Sequence, residues 1–432
     1  MVTEKANPRE ERALLISSDG HASAKMADYR PYIPASYREE FDAFCVRYAE
    51  VGIRSSDPGA LALHLDPDIL ELWVQNMVER DRLSGFSDPA RRIEVMDEEG
   101  IAADVLFPDF GMPFQMGGPV LEFKLGHTRT PEQQAVAAAA YNRWLADYCA
   151  YAPERFRGMA VVSFDDHEAA VQEIRWARQA GLNGVLLPMF SEKEPLYAAK
   201  FDPIWSVLEE LDMPVNSHGA MSGTSDQLVQ LPSPHPAAAI PLLMPVMFFY
   251  CHQVLNHMIW GGVFERHPNL KVVFTEQGSG WIPGSLTAMN FTWEGSYLRR
   301  DIREITPRRP SEYFARQCYV GASLFSRAEI EIRDQIGLDK IMIGTDYPHH
   351  EGTFAGAGTR EYLKATLGAA HVPAGEARQL LGINAGRLWN FDLAKLQPVA
   401  DKHGPLLRDI LTEPQEDLFP RGDVHKPIVA GI

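Results

Sequence analysis

Four places in the chain carry side chains able to hold a divalent ion or move a proton. Asp19-Gly20-His21 follows the apolar run Leu14-Leu15-Ile16. His218 closes Pro214-Val215-Asn216-Ser217-His218. Glu276 closes Leu270-Lys271-Val272-Val273-Phe274-Thr275-Glu276 and opens the Gly-rich loop Gln277-Gly278-Ser279-Gly280. Asp346 closes Ile341-Met342-Ile343-Gly344-Thr345-Asp346 and leads into Tyr347-Pro348-His349-His350-Glu351. Imidazole nitrogen and carboxylate oxygen together suit borderline divalent ions. On a strand, residues i and i+2 share a face, so Asp19 and His21 can converge on one ion.

Each signal is weak alone. Asp-Gly-His is a common turn composition, His218 could be an ordinary core or loop histidine, and Asp346 could serve a turn. The coincidence is what counts, because strand after strand ends in a ligand type. Glu276 is either a general acid/base or a structural acceptor for loop amides. His349 and His350 follow Asp346 and are either substrate contacts or turn residues. Trp281 and the aromatic residues Tyr29, Tyr32, Phe107, Phe110, Phe190 and Phe325 are candidates for a pocket lining, with core packing as the plainer reading. Arg54 and Arg143 are candidate clamps for a substrate carboxylate.

Such a site needs elements that bring distant strand ends together. Eight short apolar runs do so: Leu14–Ile16, Ala103–Phe107, Met159–Phe164, Gly184–Leu187, Pro214–His218, Leu270–Glu276, Cys318–Gly321 and Ile341–Asp346. Runs without alternation are expected of strands buried on both faces. Helical patterns lie between them. Glu168 to Ala180 has apolar Ala170, Ile174 and Ala177 and stops at Gly181. Asp202 to Leu211 has Asp202 as N-cap and Pro203 at the first helical position. Eight buried strands with helical crossovers predict one α/β TIM barrel, (β/α)8, whose chemistry lies at the C-terminal strand ends. We expect the barrel over residues 1–396, with a helical insertion of roughly 25–100 after strand one. Residues 397–432 are expected to form a C-terminal arm that packs on the surface or on a second subunit.

Composition narrows the function classes. Lys and Arg number 41 and Asp and Glu 58 in 432 residues, a formal charge of −17. That balance argues against a nucleic-acid binder and against a surface held on anionic lipid. The most apolar stretch, Ala237 to Tyr250, is broken by Pro241 and Pro245, and it is shorter than the roughly 20 residues a spanning helix needs. No apolar signal core follows Met1, so a cytoplasmic location is expected. Cys45, Cys149, Cys251 and Cys318 are scattered, with no CxxC pair, and are expected to be reduced core thiols.

The chain resembles the amidohydrolase superfamily, in the branch related to aminocarboxymuconate-semialdehyde decarboxylase. The resemblance spans roughly Ile16 to Leu396. It rests on Gly261-Gly262-Val263-Phe264-Glu265-Arg266-His267-Pro268-Asn269-Leu270-Lys271 and Gly344-Thr345-Asp346-Tyr347-Pro348-His349. Leu381-Gly382-Ile383-Asn384-Ala385-Gly386-Arg387-Leu388 adds to it, as does Tyr141-Asn142-Arg143-Trp144-Leu145 before Pro153-Glu154-Arg155-Phe156. The resemblance implies one divalent ion, zinc first and manganese as the alternative, held by Asp19, His21, His218 and Asp346. It also implies a small-molecule substrate and a homodimer or larger homo-oligomer. Two departures stand out. Ser23 replaces a second strand-one histidine, and Glu276 stands where many members carry a strand-six histidine. Some long members share that Glu-x-Gly pattern followed by Trp and Pro, here Trp281 and Pro283. Nothing supports a carboxylated lysine bridging two metals.

The leading expectation is a metal-dependent, non-oxidative decarboxylase of a small aromatic or unsaturated carboxylic acid, with Asp346, Glu276 and His218 as catalytic candidates and His349, Trp281 and Arg54 as candidate substrate contacts. Hydrolysis of an amide, lactone or C–C bond in a small cyclic substrate is the alternative at the same site. A non-catalytic barrel that only binds ligands is the alternative of another class.

Overall fold

The computed structural model describes residues 11–51, 62, 65–109, 112–115, 130–188, 190, 193–219, 251–295, 299–356 and 358–414. Its centre is a parallel eight-stranded sheet in sequential order. The strands are β1 (Ile16–His21), β2 (Ala103–Phe107), β3 (Phe156–Val161), β4 (Gly184–Leu186), β5 (Val215–His218), β6 (Val272–Thr275), β7 (Cys318–Ser323) and β8 (Ile341–Gly344). The sheet closes on itself just where the candidate ligands lie. The Asp19 carbonyl accepts from the backbone N–H groups of Thr345 and Asp346 at 3.2 and 2.9 Å, and the His21 N–H donates to the Tyr347 carbonyl at 2.7 Å. The predicted (β/α)8 barrel is therefore the observed fold, and its last seam runs through the site.

Strand identity follows from burial. Every residue of β1, β2, β5, β6 and β8 is buried, as expected of continuous apolar runs covered on both faces. The third strand starts three residues before its predicted position, at Phe156. There Arg155 anchors the chain by donating to the Ile101 and Ala102 carbonyls at 2.8 Å each, so pairing with β2 begins before the β-branched run does.

The crossover helices obey their local signals. Helix His167–Gln179 is capped by Asp166, whose carboxylate accepts from the Glu168 and Ala169 amides, and it buries Ala170, Ile174 and Ala177. Helix Pro131–Ala150 begins with a Thr130–Gln133 capping box. One cap differs from expectation. Asp202 is the first residue of helix Asp202–Glu210 rather than its N-cap, and no side chain caps that end. The Asp202 carboxylate instead accepts from Arg266 Nε and Nη2 at 3.1 and 2.9 Å, a charge-assisted contact stronger than a neutral cap.

Between β1 and β2 lie helices Arg38–Val51, Pro67–Trp73 and Pro89–Glu99 with shorter turns. Helix Leu393–His403 runs across the expected start of the C-terminal arm, and Leu407–Ile410 follows it. Cys45, Cys149, Cys251 and Cys318 form no disulfide. Among the described residues no helix is long and apolar enough to cross a membrane.

Candidate metal centre

The closed barrel delivers the candidate ligands from separate strands to one mouth. β1 supplies Asp19 and His21. A register shift between Ser17 and Gly20 still leaves the two side chains together, with His21 Nε2 3.7 Å from Asp19 Oδ1. β5 supplies His218, whose backbone pairs with Thr275 of β6, so Glu276 emerges beside it. The turn after β8 supplies Asp346 and His349. Asp19, His21, His218 and Asp346 are all buried. Both Glu276 and Asp346 adopt positive φ, 55° and 54°, a conformation uncommon for residues with a Cβ.

Backbone carbonyls orient two imidazoles. His21 Nδ1 lies 2.8 Å from the Pro108 carbonyl oxygen, and His218 Nδ1 lies 2.8 Å from the Gly219 carbonyl oxygen. A carbonyl only accepts, so in each ring Nδ1 carries a proton and Nε2 is the atom turned to the cluster. Those Nε2 atoms face carboxylates. His21 Nε2 is 3.2 Å from Asp346 Oδ1, and His218 Nε2 is 3.3 Å from Asp19 Oδ1. Ring nitrogens this close to carboxylate oxygens are held there by a shared cation, either a proton or a divalent ion. Asp346 Oδ2 is buried and accepts no hydrogen bond, which is costly for a carboxylate oxygen. One donor atom from each of Asp19, His21, His218 and Glu276 lies within 4.8 Å of the others. These residues fit a divalent ion.

The protein's own charges are strongly coupled here. Burial pushes the Asp19 carboxyl well above the usual range, Asp346 adds repulsion, and His21 pulls it back only in part. Burial likewise raises Glu276 well above its ordinary value against the pull of His218. For Asp346 burial acts in the same upward direction, but His349 and His21 outweigh it and hold the carboxyl well below the usual range. Burial lowers His349, yet Asp346 and Asp109 prevail and hold it well above the ordinary imidazole value.

A further layer positions these groups. Glu276 Oε2 lies 3.2 Å from His218 Nδ1, a carboxylate behind a ligand imidazole. Glu329 is the acceptor for the loop amides: it takes hydrogen bonds from the Ser279 amide, from Ser279 Oγ at 2.8 Å and from the Gly280 amide at 3.3 Å. Its other oxygen accepts from the Ser326 amide at 2.8 Å, so Glu329 ties the β6 and β7 loops together. On the outer side of β1, Arg92 and Asp104 form a fully buried pair at 2.5 Å. Arg92 also donates to the His21 carbonyl at 3.3 Å and lies 3.5 Å from the centre of the Tyr347 ring. Gly20 permits this close fit, since a Cβ there would sit 2.6 Å from Arg92 Nη2 and 2.7 Å from Asp104 Oδ1.

The structure brings Asp19, His21, His218, Glu276, Asp346 and His349 together. Trp281 donates to the Gly278 carbonyl at 3.1 Å and packs on His252 with ring centres 4.4 Å apart. Phe107 lies against the His218 ring at 4.6 Å. Arg143 is not a clamp: it pairs with Glu173 and stacks on Trp176 at 3.6 Å, outside the ligand cluster. Arg54 and Phe110 lie outside the described residues. The site also contains residues without an expected role. Asp109, two positions after β2, meets His349 Nε2 at 3.4 Å, and Glu351 joins Glu276, Asp346 and His349 in a second donor group. Asp109 carries the same signal as the others, an acid just past a strand end. Glu329, Arg92 and Asp104 carry no such signal, because their partners come from other elements.

The sequence model of the Amidohydrolase family matches residues 84–391. A gamma-resorcylate decarboxylase from Polaromonas sp. is 28% identical over 280 residues, covering 62% of this chain and 79% of that protein. A 2-amino-3-carboxymuconate-6-semialdehyde decarboxylase from Dictyostelium discoideum is 24% identical over 322 residues, covering 73% and 83%. The solved 5-carboxyvanillate decarboxylase from Novosphingobium aromaticivorans, with bound manganese, superposes with a TM-score of 0.59 at 21% identity over 88% of this chain and 97% of that one.

Proposed function

The chain belongs to the amidohydrolase family, and from that premise we propose that it is a metal-dependent, non-oxidative decarboxylase of a small aromatic or unsaturated carboxylic acid. The reading draws its reaction class from the decarboxylases it resembles. The observation that carries it is the pair of imidazoles whose Nδ1 atoms are tied to the Pro108 and Gly219 carbonyls and whose Nε2 atoms face carboxylates. That arrangement is preorganised for a divalent ion, zinc or alternatively manganese, held by Asp19, His21, His218 and Asp346.

A bound ion supplies a Lewis acid for the oxygens of the substrate. The chain's residues do the rest. His21 and His218 are fixed in orientation by backbone carbonyls. Glu276 braces His218 from behind. Asp346 Oδ1 lies 2.9 Å from Nδ1 of His349, an imidazole that, against burial, Asp346 and Asp109 hold well above its ordinary value, so a proton drawn from solvent through His349 and relayed at Asp346 is placed to reach the carbon that loses CO2. The C–C bonding pair stays on that carbon as CO2 leaves, and the proton then caps it. Burial of the site excludes bulk water from the carbanion-like carbon. His349, at the mouth beside Asp346, is a candidate substrate contact.

Incubation with a panel of hydroxybenzoates and muconate-like acids tests the reading. Expected is stoichiometric CO2 release, with no ¹⁸O from labelled water in the organic product. Incorporation of ¹⁸O would replace decarboxylation with hydrolysis. A folded protein that binds no divalent ion on reconstitution would remove the enzyme reading altogether.

A further inference from the structure

We propose that His350 sets substrate specificity by accepting a hydrogen bond from a hydroxyl on the substrate acid. This rests on the decarboxylase reading above and names a substituent that its substrate carries. His350 stands on the turn that follows β8. There the His349 amide donates to the Asp346 carbonyl at 3.0 Å, the Gly352 amide to the His349 carbonyl at 3.1 Å and the Thr353 amide to the Thr345 carbonyl at 3.0 Å. His350 and Glu351 are thus the two central residues of the His349–Gly352 turn. Little room is left beneath that turn. A Cβ at Gly352 would sit 2.4 Å from the Asp346 carbonyl oxygen and 3.0 Å from those of Thr345 and His349. The segment that carries Asp346 therefore also fixes where His350 stands.

Two observations give that position a role in binding. The first is that the turn makes no use of the imidazole, because the bonds that close it join backbone groups. Among the described residues the one polar partner of the His350 side chain is Glu351, whose Oε2 lies 2.8 Å from Nδ1. The pair is accessible at the mouth, with His350 36% and Glu351 35% exposed. The second is adjacency. A Glu351 carboxylate oxygen lies within 4.8 Å of donor atoms of Glu276, Asp346 and His349. Contacts thus run from the candidate metal centre through Glu351 to a half-exposed imidazole, on a turn too tightly packed to carry it elsewhere.

The chemistry of the ring then selects the ligand group. An ionised carboxylate only accepts, so in the neutral ring the proton shared with Glu351 sits on Nδ1 and Nε2 offers a lone pair. The complement of a lone pair held in place is an O–H donor. A site that hydrogen-bonds a substrate hydroxyl disfavours the analogue lacking it, because its own polar atom is then left unpaired. At a half-exposed position water partly replaces the lost partner, so the discrimination should be modest, roughly 3–10-fold. The competing arrangement is a charged ring that donates from Nε2 and favours a second carboxylate instead.

Paired acids on the Mn²⁺-loaded protein decide between them. Each hydroxybenzoate is compared with the parent benzoate and with the matching dicarboxylate, by KM where CO2 is released and by equilibrium dialysis where it is not. Expected is a preference for the hydroxyl at one ring position. His350→Phe keeps a ring but removes Nε2, and it should lose that preference with kcat and metal content unchanged. His350→Gln, whose amide oxygen still accepts, should keep most of it. Equal weakening of hydroxylated and parent acids in His350→Phe would overturn the proposal, leaving His350 a structural turn residue. So would a fall in kcat at unchanged affinity, or a preference for the dicarboxylate that His350→Phe abolishes. Wild-type protein that binds the hydroxylated acids selectively through His350 but releases no CO2 would overturn the decarboxylase reading and leave this one standing. Failure to bind any acid of the panel would overturn both.

Discussion

Two clusters of buried charge lie on opposite sides of β1. On the outer side, Arg92 and Asp104 face each other at 2.5 Å, both completely buried, and their charges cancel. On the inner side, Asp19 and Asp346 are equally buried, with Glu276, Glu351 and Asp109 close by, and five carboxyl groups share the mouth with three imidazoles, His21, His218 and His349. Gly20 separates the two, with one face of the strand closed by guanidinium and the other open to ligand. A buried pair complete within the chain is a structural device. A buried cluster that is incomplete within the chain must recruit its counter-charge from outside, and that makes it a site. The contrast shows why burial and charge alone do not identify function, whereas an unbalanced sum does.

The largest expected effect breaks the inner cluster. Asp346→Asn should lower turnover about 10²–10⁴-fold while reducing metal affinity far less, because an amide oxygen still coordinates but carries no proton. His218→Ala should cost about 10–100-fold or more in metal affinity while the barrel's circular dichroism stays intact. Elemental analysis beside steady-state rates separates the two, and full metal occupancy in His218→Ala would contradict the ligand assignment.

Next comes the outer pair. Arg92→Met leaves Asp104 buried without a partner and should destabilise the fold by about 3–5 kcal/mol. The double variant Arg92→Met/Asp104→Leu should recover much of that loss in denaturant melts, because a neutral pair needs no counter-charge. If the double variant is no more stable than the single, the pair does more than cancel its own charge.

A pH series sharpens the comparison. In chelator-stripped protein Asp19 and Glu276 hold their protons above the usual carboxylate range. Between about pH 4 and those raised values the folded chain binds more protons than the unfolded one, so stability falls as pH rises. His349, also raised, acts in the same direction: its contribution is complete below its unfolded value of about 6.5 and is lost as pH climbs through the folded value. Asp346, held low, contributes stability that is lost only in strong acid. The stripped protein should therefore melt at lower temperature at pH 8 than at pH 5, and saturating metal should flatten that slope. Parallel melting curves with and without metal would show that the ion does not sit among these groups.

The smallest effect concerns the loop clamp. Glu329→Gln keeps the shape but weakens the hydrogen bonds to Ser279, Gly280 and Ser326. A loss of roughly 1 kcal/mol, about fivefold in kcat, is expected from loosened charge-assisted bonds, with metal content unchanged. A change in metal stoichiometry would mean that Glu329 acts on the ligands themselves.

Much of this was legible in the sequence. The apolar runs marked eight strands, and β2 falls on the expected residues, Ala103–Phe107. The strand ends marked Asp19, His21, His218, Glu276 and Asp346, because barrel chemistry collects at those ends. β3 was displaced because its first residues, Phe156-Arg157-Gly158, lack the β-branched signature and are recruited by pairing. Asp202 has the local signal of a cap, but its carboxylate is taken by Arg266, far along the chain.

The sequence by itself determined that the strand-end residues Asp19, His21, His218, Glu276 and Asp346 would stand at the mouth, since alternation of strands and helices is a local property and a closed barrel leaves strand ends nowhere else to go. Only the tertiary structure decided which atoms face one another. It placed Pro108 and Gly219 against the two imidazoles and Glu276 behind His218. It also gave the loop amides to Glu329 and joined His349 and Glu351 to Asp346. Those choices rest on distances of a few ångströms between residues far apart in the chain, and hydrogen bonds and ion contacts decay over that same length. No pattern along one dimension encodes them.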